Sequence, residues 1–117
     1  MEIDGRTQEN ITILNLHGDL DGKSETNLGQ RIEEGISLHH NVLLNLSDTG
    51  YIDSAGLSIL ITSRKKLLAK GLELFVCCPQ SYVKRIFNLT KLCDFLPVFD
   101  NENLALSAFN AALKPSA

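Results

Sequence analysis

The sequence predicts an α/β fold: a mixed, mostly parallel β-sheet of four to five strands packed with about four helices. Three observations carry this. Short apolar runs bounded by turn residues recur at 41–46 and 72–78, a pattern suited to strands buried on both faces. Other stretches repeat their apolar residues at steps of three and four, the period of a helix with one buried face. The two patterns alternate along the chain, and such alternation builds a sheet covered by helices, with the strands after the first pair mostly parallel. At 117 residues and 44% hydrophobic content, the chain suits one domain with a single modest core over 1–117, its last residues, 114–117, forming a loose tail.

Taken in order, Ile11, Ile13 and Leu14 or Leu16 make residues 11–16 a strand, and Ile3 belongs to a short strand that pairs with it across a turn near Gly5. From Ser24, a plausible cap, the period changes and Leu28, Ile32 and Ile36 mark a helix, weakened by the interior Gly29 and Gly35. The run 41–46 is the next strand, and 47–50 a turn. Leu57, Leu60, Ile61, Arg64, Leu67 and Leu68 then define a helix of about four turns that starts at Asp53 or Ser54 and stops at Lys70-Gly71. A buried strand at 72–78 ends at Pro79, and a short helix follows with Ser81 as its cap and Val83, Ile86 and Phe87 on one side. A brief strand at 97–99 precedes a last helix, capped by Asp100 or Asn101, that carries Leu104, Leu106, Ala108, Phe109 and Leu113.

Composition excludes several functions. The formal charge of -3 comes with no basic stripe, so a direct nucleic-acid partner is not expected. No apolar run approaches the roughly 20 residues that span a bilayer, which argues for a soluble chain with no membrane partner. The acidic, mixed start at 1–5 is unlike a secretory signal and points to the cytoplasm. Cys77, Cys78 and Cys93 are expected to be buried, reduced thiols, the adjacent pair facing opposite sides of a strand. His17, His39 and His40 lack metal-site spacing, and there is no Walker-type loop, so no metal or other cofactor is expected. With no long apolar stripe left over, the free protein is expected to be a monomer.

The loop from Asn45 to Gly56 attracts attention because ligand sites in such folds gather where strands run into helices. It holds Asp48, Asp53 and Ser54 among the small residues Gly50, Ala55 and Gly56. Ser54 at the helix start would lie near the surface among backbone N–H groups that lack intrahelical partners. Ala55 and Gly56 would let another protein's backbone come close. Ser54, Ser58, Thr62 and Lys65 share one side of the helix as a polar ridge opposite the Leu57, Leu60, Ile61 and Leu68 stripe. A solvated helix face with an N-terminal cap has the same appearance.

Residues 18–21 (GDLD), 42–47 (VLLNLS), 51–57 (YIDSAGL) and 79–92 (PQSYVKRIFNLTKL) resemble, in order and at compatible spacing, the anti-sigma-factor antagonists of the STAS domain family. The resemblance covers nearly the whole chain and implies a single STAS-like domain. It implies that Ser54 is the serine phosphorylated by an anti-sigma factor serine kinase, with Asp53 beside it and Asp21 near the partner contact. It further implies that the unphosphorylated domain binds the kinase and frees a sigma factor, that phosphorylation ends the binding, and that a PP2C-type phosphatase restores it. Many relatives carry Ser or Thr after the phosphorylated serine; Ala55 leaves Ser54 as the one candidate in the motif. The partner-binding set is thus Asp21, Asp53, Ser54, Gly56, Ser58, Thr62 and Lys65.

Two rival readings belong to other classes. A nucleophile elbow is superficially similar to Asp53-Ser54-Ala55-Gly56, but Ile52 stands where Gly-x-Ser-x-Gly needs its first glycine, so no enzyme is expected. A constitutive STAS adaptor or scaffold subunit of a larger signalling or lipid-transport complex would share the fold and expose the same ridge without needing phosphate on Ser54.

Overall fold

The computed structural model describes residues 1–113, and the side chains of 1–110. The expected tail at 114–117 and the core role of the Leu113 side chain lie outside these. The strands are β1 (Glu2–Gln8), β2 (Ile11–His17), β3 (Asn41–Asp48), β4 (Leu74–Cys77) and β5 (Val98–Phe99). The helices are α1 (Glu25–Ser37), α2 (Ser54–Leu68), α3 (Ser81–Leu89) and α4 (Glu102–Leu113), with 3-10 turns at Gly22–Ser24 and Leu92–Asp94. One sheet holds all five strands in the order β1-β2-β3-β4-β5, β1 antiparallel to β2 and every later pair parallel. The predicted architecture is the observed one.

The apolar runs at 11–16 and 41–46 follow from two buried faces. On one face Leu14, Leu16, Val42, Leu44, Leu46, Leu74 and Val76 pack with Leu28 and Ile32 of α1, Leu60 and Leu67 of α2, and Val83 and Phe87 of α3. On the other, Ile11, Ile13, Leu43, Phe75 and Cys77 meet Ala105 and Phe109 of α4. The ring of Phe109 stacks on Phe75 with centroids 4.1 Å apart. Successive strand residues point to opposite faces, so a strand sandwiched between helix layers is apolar throughout.

Several local expectations are corrected. The first turn is not near Gly5, which lies inside β1 opposite Leu14; it falls at Glu9-Asn10, between Gln8 and its partner Ile11. β1 is a polar edge strand, exposed along most of its length, so no alternation marked its extent. Ser24 occupies the N-cap position of α1, as expected, but makes no side-chain cap bond: its hydroxyl is buried, donating to the Asp19 carbonyl at 3.1 Å and accepting from the Asp21 amide at 3.2 Å. Gln80 and not Ser81 occupies the cap of α3; of the two candidates expected for α4, Asn101 is the cap, accepting from the Leu104 amide at 2.9 Å. Helix α2 ends at Leu68, ahead of a turn that closes at Gly71 with φ 74°. Its buried residues are Gly56, Ile59, Leu60, Ser63 and Leu67, whereas Leu68 is exposed. In α4, Leu104 is likewise exposed while Ala105 is buried.

The cysteines depart furthest. Cys77 is buried, Cys78 half-buried and Cys93 exposed. Nor do the adjacent two diverge: the strand stops at Cys77, Cys78 turns left-handed with φ 61°, and the sulfurs lie 3.4 Å apart.

Candidate functional site

The carboxyl ends of β2 and β3 deliver two loops to one edge of the sheet. The first, leaving β2, runs Gly18-Asp19-Leu20-Asp21; the second joins β3 to α2. They are tied together by an isolated parallel bridge between Leu20 and Ile52, in which the Leu20 amide donates to the Tyr51 carbonyl at 3.0 Å. Thr49, fully buried, donates its hydroxyl to the Leu16 carbonyl at 3.2 Å and anchors the second loop to β2. The loops are thus tied to each other through their backbones and to the framework through the Thr49 side chain.

Asp53 is the cap of α2. Its backbone is extended and its Oδ1 accepts from the Gly56 amide at 2.9 Å, leaving Ser54 as the first helical residue. Ser54 is exposed, as are Ser58, Thr62 and Lys65, so the polar ridge faces solvent as its spacing predicts. Asp21 caps the 3-10 turn before α1 by accepting from the Lys23 amide at 3.0 Å. That turn lies against the start of α2: a Cβ added to Gly22 would stand 3.7 Å from the Ala55 methyl. Between them opens a groove of about 320 Å³, bordered by Glu25, Ser58, Ile59, Thr62 and Lys66.

Gly56 alone of the seven predicted site residues faces inward. A Cβ there would come within 2.1 Å of the Leu20 carbonyl oxygen. The glycine lets the start of α2 seat against this chain's own first loop, so its role is internal packing and not, as expected, the approach of a partner's backbone.

Two features of this edge went unread in the sequence. The ring of His17 lies between two carboxylates, Nδ1 at 2.6 Å from Asp48 Oδ2 and Nε2 at 2.8 Å from Asp4 Oδ2. The hydrogen bond to Asp48, then that to Asp4, raises its pKa above the ordinary value. Tyr51 and Tyr82 stack with centroids 5.8 Å apart and planes within 11°, both rings partly exposed beside the loop that leads to Ser54. Two tyrosines, Tyr51 in the loop before α2 and Tyr82 at the start of α3, were the available signal for the second; nothing in the spacing of 4, 17 and 48 signals the first. His39 and His40 lie at the opposite end of β3 from Ser54, with His40 Nδ1 3.0 Å from Thr12 Oγ1.

Residues 2–105 match the STAS domain family. The chain belongs to that family. Relatives of this STAS domain include the anti-sigma F factor antagonist of Paenibacillus polymyxa, 27% identical over 109 residues that cover 92% of this chain and 93% of the relative. Among solved structures, an anti-sigma factor antagonist from Mycobacterium paratuberculosis shares the fold with a TM-score of 0.81 at 22% identity, over 92% of each chain. The anti-sigma factor antagonist SpoIIAA in its unphosphorylated form matches with a TM-score of 0.75 at 15% identity, covering 97% of this STAS domain and all of SpoIIAA. Its phosphorylated form gives 0.68 at 15% identity, over 92% and 99% of the two chains. Among the described residues, no helix of the STAS domain is long and apolar enough to cross a membrane.

Proposed function

We propose that this STAS domain is a non-catalytic anti-sigma factor antagonist, switched by phosphorylation of Ser54. In this reading the unphosphorylated protein binds an anti-sigma factor serine kinase in the cytoplasm and so releases a sigma factor. Phosphate on Ser54 ends the binding and a PP2C-type phosphatase restores it. Asp21, Asp53, Ser54, Ser58, Thr62 and Lys65 form the contact face. The observation that carries the reading is an exposed serine at the first position of α2, between an aspartate cap and a glycine packed against the neighbouring loop.

The physical chemistry of that position supports a switch. A phosphoserine carries about -1.5 to -2 charges, and a helix N-terminus, with free N–H groups and a positive dipole end, accommodates an anion. Asp53 has already occupied the Gly56 amide, while the amides of Ser54 and Ala55 precede the first intrahelical bond, that of Leu57 to the Asp53 carbonyl. A docked partner meets a different balance. The added charge joins Asp53 and the Asp21 loop in an interface, and an unpaired buried charge costs about 3 to 5 kcal/mol, which corresponds to at least a hundredfold loss of affinity. SpoIIAA, with the same fold, has been solved in both phosphorylation forms, in keeping with a modification that spares the architecture.

The test is intact-mass analysis of the protein from its native cells, followed by binding measurements with the kinase recovered with it. A species about 80 Da heavier, mapping to Ser54, is expected, together with at least hundredfold weaker kinase binding by Ser54→Asp than by Ser54→Ala. Equal affinities of the two variants would defeat the switch and favour a constitutive adaptor.

A further inference from the structure

We propose that Cys77 and Cys78 form a dithiol site for a single trivalent thiophilic atom, the chemical type being an organic arsenical. The site lies at the carboxyl end of β4 and does not depend on the reading of Ser54. Three features of the geometry point to it. Cys78 adopts φ 61°, a left-handed conformation uncommon outside glycine, and this turn aims both sulfurs to one side at a separation of 3.4 Å. A regular strand would have sent the two side chains to opposite faces. Cys78 is half-buried and open to a small reagent, while Cys77 forms the enclosed floor of the site.

The same geometry selects the ligand. Adjacent Cα atoms are about 3.8 Å apart across a trans peptide, short of the roughly 4.4 to 6.8 Å usual in disulfides, so direct S–S closure is disfavoured. Burial, then the hydrogen bond from Cys78, pushes the Cys77 thiol pKa up, which also opposes thiolate chemistry there. A bridging atom removes the first obstacle, since it needs the two sulfurs close to each other and not bonded, and they already lie 3.4 Å apart. A four-coordinate metal ion would need two further ligands. Among the described residues no group of three or more His, Cys, Asp or Glu could hold one, and the nearby Glu102 carboxylate is engaged by Arg6 and by Asn45 Nδ2.

An arsenoxide, R–As=O, needs only the two thiols. Two As–S bonds form, the As=O bond breaks, and both thiol protons leave with that oxygen as one water; arsenic stays trivalent and no electrons are transferred. Two residues beyond Cys78, Gln80 donates its Nε2 to the Ser47 carbonyl at 2.7 Å, and Tyr82 stacks on Tyr51. A ligand on the dithiol therefore sits one short link from the loop that leads to Ser54.

The experiment treats the reduced full chain with phenylarsine oxide and reads intact mass after excess 2-mercaptoethanol, then after 2,3-dimercaptopropanol. One phenylarsenic unit per chain is expected to survive the monothiol and to leave with the dithiol. Cys93→Ser is expected to behave identically and Cys78→Ser, at a half-exposed position, to lose the adduct. Titration in urea separates geometry from mere adjacency: the unfolded chain is expected to bind at least about tenfold more weakly, having lost the preorganised pair. Absence of a monothiol-resistant adduct, its persistence in Cys78→Ser, its loss in Cys93→Ser, or equal affinity of folded and unfolded chains would each overturn the proposal.

Discussion

At Gly56 the difference between one hydrogen atom and a methyl group governs how two loops meet. A Cβ would stand 2.1 Å from the Leu20 carbonyl oxygen and 2.9 Å from Ile52 Cγ1, and the first of these is backbone that cannot swing aside. Gly56→Ala is expected to lower stability by about 3 kcal/mol, the upper range for overpacking, measurable as a lower urea midpoint at unchanged slope. The glycine stood out in the sequence, but its role did not, because a small residue beside an exposed serine fits an open surface as well as a crowded interior. His17 carries the opposite lesson. Both ring nitrogens can donate only in the imidazolium form, and each faces a carboxylate, Asp48 on β3 and Asp4 on β1. Because its folded pKa is raised above 6.5, the contribution of this clamp is complete below that pH and is lost as pH climbs through the folded value. NMR titration of the ring should show this elevation, and Asp48→Asn, which removes its largest cause, should reduce it. A titration at the ordinary value in the wild type would rule the clamp out.

Helices divide into those whose buried face is legible throughout and those, α2 and α4, where it is legible in part: Leu60, Leu67 and Phe109 are buried as their spacing predicts, and some of their apolar neighbours are not. Leu28 and Ile32 of α1 and Val83 and Phe87 of α3 lie where their spacing put them. In α2 and α4 apolar residues are too abundant for spacing alone to select a face, so Leu68 and Leu104 fit the helical pattern yet are exposed, while small residues, Gly56, Ser63 and Ala105, are buried. The polar ridge of α2 was read correctly because four polar residues in register define a face that hydrophobic abundance cannot blur. Among the described residues, α4 alone of the helices contributes to the second core, through Ala105 and the Phe109 ring on Phe75. Phe109→Ala is expected to cost about 3 to 5 kcal/mol by urea unfolding, the range for emptying a buried aromatic site. A loss below 1 kcal/mol would mean that α4 contributes little to the fold.

For the whole molecule, the proposed switch requires that charge at Ser54 change association and leave the fold alone. Phosphorylated protein or Ser54→Asp should retain the far-UV spectrum and a stability within about 1 kcal/mol of wild type, since anions at an exposed helix N-terminus are mildly favourable. Substantial unfolding on phosphorylation would replace repulsion of a partner with loss of structure as the mechanism. Local periodicity along the chain was enough to establish a mostly parallel α/β domain, the order of its elements and the ridge around Ser54, because strand and helix repeats, caps and turn residues act over a few neighbours. Tertiary structure alone brought Gly56 against Leu20, His17 between Asp4 and Asp48, Tyr82 onto Tyr51 and the two sulfurs together. These contacts depend on strand register, on loops converging at one sheet edge, or on a single backbone angle at a strand end, and no repeat in the sequence encodes such distances.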